Sequence, residues 1–151
     1  MAHTNDDTVV ADFLFNLINT NKVTLGLNEV YYGNQTMIPV ANAAVITPGG
    51  KSRVLSGVQG PGGQTTNTLN VIIAVHRSKV GVEDTERHAV DNIATAVERL
   101  VHQDVTCGGI IIHGMIDDVS RGESPLANGS MFRSVVMSFS GETKLSLIPP
   151  P

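Results

Sequence analysis

The stretch Asn67–Gln103, NTLNVIIAVHRSKVGVEDTERHAVDNIATAVERLVHQ, decides the fold, because its hydrophobic period changes once along its length. From Leu69 to His76 the pattern alternates. Leu69, Val71, Ile73 and Val75 share one face of a strand. Asn70, Ile72, Ala74 and His76 share the other, so that face is expected to be partly buried too. Arg77 to Gly81 reads as a short polar turn. The pattern then becomes helical, with Val90, Ile93, Ala94, Val97, Leu100 and Val101 on one face. Glu83, Asp84 and Glu86 stand where the helix dipole favours negative charge, and Arg99 and His102 where it favours positive charge. The spacing predicts that Ile93, Val97 and Leu100 pack on the sheet against Ile73 and Ile112. The rest of the chain has to cover the faces that this strand and helix leave exposed.

Upstream, Asn5, Asp6 and Asp7 are good capping and first-turn residues. Val9, Val10, Phe13, Leu14, Leu17 and Ile18 then form an apolar helical stripe, which predicts a helix from about Asp7 to Asn19. Lys22 to Asn34 is a transition in which Glu29–Tyr32 reads as a short strand. Ile38 to Ile46 reads as a further strand, with Pro39 holding it to an edge or to its first residues. Thr47–Asn67, TPGGKSRVLSGVQGPGGQTTN, holds six glycines and two prolines and reads as a long loop. Arg53–Val54–Leu55 gives its one hint of a hairpin. Downstream, Gly109 to Ile116 is apolar on both faces and is expected to be a central strand. Asp117 to Ser130 reads as a polar loop. Met131 to Ser140 is the last strand, with Met131, Arg133, Val135, Met137 and Phe139 on one face and Phe132, Ser134, Val136 and Ser138 on the other. Leu145–Ile148 extends the pairing in this reading, although residues 142–151 as a whole are expected to form a short flexible tail. The expected fold is α+β: a mixed, mainly antiparallel sheet of about four to five strands, with two helices on one face.

The 151 residues suit one domain, and 41% hydrophobic content is enough for one core. Only 16% of residues are charged, against roughly 25% in typical domains, which fits a chain that hides surface in an assembly and also fits a bland monomer. A net charge of −4 without a Lys/Arg run argues against a specific nucleic-acid ligand. Cys107 is alone, which excludes an internal disulfide and fits the cytosol. The polar start MAHTNDD is not a signal peptide, and no apolar run reaches the roughly 20 residues of a membrane span.

Gly50–Lys51–Ser52 resembles the end of a phosphate-binding loop, but Val45 stands where the first glycine is required and no helix start follows. His3, His76, His88, His102, His113 and Cys107 show no metal-ligand spacing, and His102 with Cys107 across a turn is a weak pair. His113 is expected to be a core histidine. Asp117 and Asp118, adjacent on a strand end, are expected to point apart. No nucleophile or dinucleotide signature is present, so no enzyme and no cofactor are expected. The candidate contacts are assembly contacts. Lys51 and Arg53 are the only charges in the glycine-rich segment and both are positive, and Gln59 and Gln64 accompany them. Arg77 and Lys79 lie in the following turn, and Arg121 and Glu123 in the later polar loop.

The layout resembles the tail terminator (tail completion) proteins of long-tailed bacteriophages. The matching parts are the acidic-capped first helix, VYYGNQTMIPVANAAVI, a glycine-rich excursion and NVIIAVHRS. They continue with the helix HAVDNIATAVERLV and the closing strands GGIIIHGMIDDVS and FRSVVMSFSGE. The resemblance covers nearly the whole chain and implies a homohexameric ring at the top of the tail tube. Such a ring ends tube polymerisation and meets the head connector, with tube and connector proteins as partners and DNA free to pass its lumen. It implies a virion component assembled in the host cytoplasm, and it brings no catalytic residue. The alternatives are another neck or connector protein and a small cellular ligand-binding domain.

Overall fold

A computed structural model of the protein describes residues 4–33, 42–55, 64–79, 83–125 and 131–146. The chain runs α1 (Asp7–Thr20), α2 (Lys22–Leu25), β1 (Glu29–Tyr32), β2 (Asn42–Leu55), β3 (Gln64–Lys79), α3 (Glu83–Val101), β4 (His113–Pro125) and β5 (Met131–Ser146). The strands form one sheet in the order β1-β2-β3-β5-β4. β1 pairs parallel with β2, and the other pairings are antiparallel. α1 lies over β1, β2 and β3, and α3 over β3, β5 and β4 on the same face. This is the expected α+β architecture.

Local chemistry sets each helix. Asp6 caps α1 by accepting the Thr8 N–H at 3.0 Å, and Asn21 ends it. Val10, Ala11, Leu14 and Ile18 then face inward. In α3, Val90, Ile93, Ala94, Val97 and Val101 are buried against Leu69, Val71, Ile73 and Val75 of β3 and Val135, Met137 and Phe139 of β5. Both central strands keep their alternation, so one residue in two points at the helices.

The strands outrun the helical layer. β3 and β5 each have 16 residues and stay in register from Gln64↔Ser146 to Lys79↔Met131. At about 3.3 Å per residue they span about 50 Å, whereas α1 and α3 at about 1.5 Å per residue span about 21 and 28 Å. Polar contacts close the core where the apolar cover stops. At one end Asn5 Oδ1 accepts from Asn67 Nδ2 at 3.3 Å and from Thr143 Oγ1 at 3.2 Å. Asn67 and Thr143 are both fully buried. At the other end Arg77 Nη1 donates to Asn42 Oδ1 at 2.7 Å, next to buried Arg133.

Several sequence expectations change. Thr47–Asn67 is largely strand, since β2 continues to Leu55 and β3 starts at Gln64; residues 56–63 lie outside the described residues. The backbone ladder pairs these residues whatever their side chains, and a bulge between Pro48 and Gly50 absorbs the glycines. Of the strand expected over Ile38–Ile46, the part from Asn42 is strand and residues 38–41 lie outside the described residues. The run GIIIHGMI is not a central strand. Cys107, Gly108 and Gly109 take positive φ values of 49, 72 and 91°, which makes a turn, and β4 begins only at His113, at the edge of the sheet. The apolar character comes from Ile111, buried over Gly114 and Gly141, where an added Cβ would stand 2.9 Å from Ile111 Cδ1. Ile111, not Ile112, therefore joins the core. Asp117–Pro125 is strand and not loop, and β5 continues through residues 142–146.

Val97 is fully buried at the centre of the α3 face. Val97→Ala is expected to lower unfolding free energy by ~1–3 kcal/mol through lost burial and a cavity. Val97→Asp is expected to leave no folded protein. A soluble Val97→Asp variant with a normal melting curve would contradict this packing.

Candidate assembly surface

The seven described sequence candidates do not form one site. Lys51 is exposed on β2 opposite Leu69, close enough to Asp6 for its charge to help hold that carboxyl below the usual range, after the Thr8 hydrogen bonds. By register Arg53 stands opposite Asn67, and Gln64 opposite Ser146. Gln59 lies outside the described residues. Arg77 belongs to the far end of the sheet, with Lys79 opposite Met131 and Glu123 opposite Arg133. There Arg121 Nε reaches Asp91 Oδ1 of α3 at 2.9 Å. The candidates thus fall at two opposite ends of the strands.

The phosphate-loop resemblance has a definite structural outcome. Gly50, Lys51 and Ser52 are strand residues, and the Gly50 N–H donates to Asp7 Oδ2 at 2.9 Å. A backbone donor of the kind that cradles phosphate is here spent on a carboxylate, and the contact ties β2 to the start of α1.

The sheet face away from the helices runs across all five strands. One row across it is Val45, Ala74, Val136 and Ser120; the next is Thr47, Ile72, Ser138 and Asp118. Towards the β4 edge it becomes polar. Ser140 Oγ lies 2.8 Å from Asp117 Oδ2 and 3.2 Å from Asn70 Oδ1, and its single proton goes to the charged acceptor. His113 Nε2 lies 3.6 Å from Glu142 Oε2, on a half-exposed side chain. His113 is therefore not the expected core histidine, because its strand is the edge strand. A bulge between Ile116 and Asp118 breaks the alternation, so Asp117 and Asp118 turn to the same face rather than apart. His113, Asp117, Ser140 and Glu142, with Thr68, Met115 and Gly141, line a shallow open trough of about 280 Å³.

Cys107 is buried, and burial, helped by the Asp104 charge, pushes its thiol up to about 12, so it stays protonated and unreactive. Asp104 is held below the usual carboxylate range by hydrogen bonds from Thr106 and Gly108. His102 does not join Cys107; its Nε2 accepts the Ile116 N–H. Among the described residues, no three His, Cys, Asp or Glu side chains stand together as a metal site, and no helix is long and apolar enough to cross a membrane. The His102 contact and the buried Asn67 carried no sequence signal, since both depend on partners far along the chain.

No family model matches the sequence, and no curated protein matches it. Solved structures do match. A chain from the virion of a native gene transfer agent (GTA) particle is similar over 89% of this chain and 94% of its own, at 9% identity and a TM-score of 0.50. The two share a fold. A second solved chain, at 14% identity over 91% of this chain and 95% of its own, has a TM-score of 0.41 and carries no argument.

His76 sits on the uncovered face opposite Ala43 and Ser134, and burial lowers its pKa from the ordinary 6.5. The unfolded chain then binds that proton more readily. The stabilising term is fully present above pH 6.5 and is lost as pH falls through the folded value. The melting temperature is expected to drop on going from about pH 7.5 to about pH 5, with a shallower drop in His76→Gln. Equal slopes in the two proteins would contradict the assignment.

Proposed function

We propose that this chain is a non-catalytic structural protein of a tailed-phage-type virion. The observation that carries the reading is the fold likeness, which runs nearly end to end with a chain of a GTA virion. The surface agrees with it. The described candidate side chains stand at two ends of the strands, and the polar trough beside β4 is open rather than the enclosed pocket typical of small-ligand sites.

Within the virion the role we assign is that of tail terminator. A homohexameric ring would cap the tail tube, end its polymerisation and present a surface to the head connector. Tube and connector proteins are its partners, and DNA passes the lumen without specific contact. A cyclic assembly needs two different surfaces on each subunit. The chain offers candidates at both ends of its long strands, with Lys51, Arg53 and Gln64 at one and Arg77, Lys79, Arg121 and Glu123 at the other. Its low charge content of 16% suits a subunit covered by neighbours.

Light scattering on the purified 16.0 kDa protein tests the ring, with a mass of about six protomers expected. Replacing residues 56–63 by Asn-Gly leaves β2 and β3 joined by a short turn. That variant is expected to melt almost as the parent does but to run as single protomers. A parent that stays monomeric at all accessible concentrations would overturn the ring. A shortened variant that still assembles would remove the hairpin end from the contact.

A further inference from the structure

We propose that His102 is a protonation-controlled guard on the free edge of the sheet. The residue follows the last turn of α3, and its own N–H still donates to Glu98 O at 3.0 Å. That bond fixes the base of the side chain. The ring then reaches the edge strand β4, where Nε2 accepts the backbone N–H of Ile116 at 2.9 Å.

In an antiparallel edge strand, successive N–H groups point by turns to the paired strand and to the free side. The Ile116 donor goes to His102 and not to β5, so it belongs to the free side. Unpaired donors of this kind are what an added strand uses, and proteins commonly blunt them. Here an imidazole fills the place, beside the bulge at Asp117. Met115 and Val119, 53% and 39% exposed, flank it.

The bond dictates the proton. A nitrogen that accepts a hydrogen bond carries its lone pair, so the neutral ring holds its proton on Nδ1. Protonating Nε2 places N–H against N–H. The bond is lost, the ring turns away, and a strand-pairing donor is left bare.

The surrounding charges do not replace this contact. On α3 and the following turn the groups are Glu98, Arg99 and Asp104, and both Asp104 oxygens are already occupied by Thr106 and Gly108. On β4 the bulge sends Asp117 to Ser140 on the uncovered face, and Asp118 stands opposite Ser138 on that face. On β5 the residue opposite Ile116 is Phe139, and the nearest charge along the strand is Glu142, paired with His113.

Hydrogen exchange of the Ile116 amide, corrected for its intrinsic pH dependence, tests the proposal on the full chain. Protection is expected to fall at least about tenfold on acidification that protonates the imidazole. In His102→Gln, whose amide oxygen accepts at a similar reach and takes up no proton, protection is expected to stay high throughout. In His102→Ala it is expected to be low throughout, with the global melt of both variants still cooperative. Constant protection in the parent, or the same loss in His102→Gln, would overturn the guard. If His102→Ala does not fold, the parent and the Gln variant still decide the matter.

Discussion

The pairing of β3 with β5 is the constraint on which the rest of the molecule depends. It is 16 rungs long, and both strands keep strict alternation through its centre. Every second residue therefore points to one face, and that face offers Leu69, Val71, Ile73, Val75, Val135, Met137 and Phe139, all essentially fully buried. A slip of one residue would turn this whole set to the other side, so the register is strongly specified. α1 and α3 have one place to bury their stripes. β2 and β4 add to the two sides of the pair, and α3 returns antiparallel over the strand that precedes it.

The same length makes the molecule more than a core. The helices cannot cover 16-residue strands, so the sheet passes out from under them. Each end is sealed by hydrogen bonds in place of hydrocarbon: Asn5, Asn67 and Thr143 at one, Asn42 and Arg77 at the other. Buried polar groups are tolerated there because each has a partner. The outcome is a plate with apolar cover on one side, an open face on the other and two polar ends. That shape suits contacts with several neighbours better than it suits enclosure of a substrate.

Much of this was legible in the sequence where side chains carry the period. Leu69–Val75 and Val90–Val101 announce a strand and a helix because both elements are half-buried and their apolar residues repeat accordingly. The second half of β4 was not legible. Asp117, Asp118, Ser120, Arg121 and Gly122 show no apolar alternation, because an edge strand is held by the backbone of β5 and by the Arg121–Asp91 pair. Pro48, Gly49 and Gly50 read as loop for a related reason: the ladder with β3 forms through main-chain groups, and Gly49 serves a bulge where a Cβ would crowd Asn70 at 3.2 Å. The candidate charges were visible as residues, but their division between two ends is set by register, which composition does not carry.

The central claim is that this plate is a virion subunit that terminates a tail tube. It is tested most directly by polymerising the tube protein of the same virus in the presence of the purified chain and measuring tube lengths by electron microscopy. The account predicts that the tubes stop growing and carry one added ring of density at a single end. Tubes that keep growing to the same lengths, with both ends bare, would contradict it.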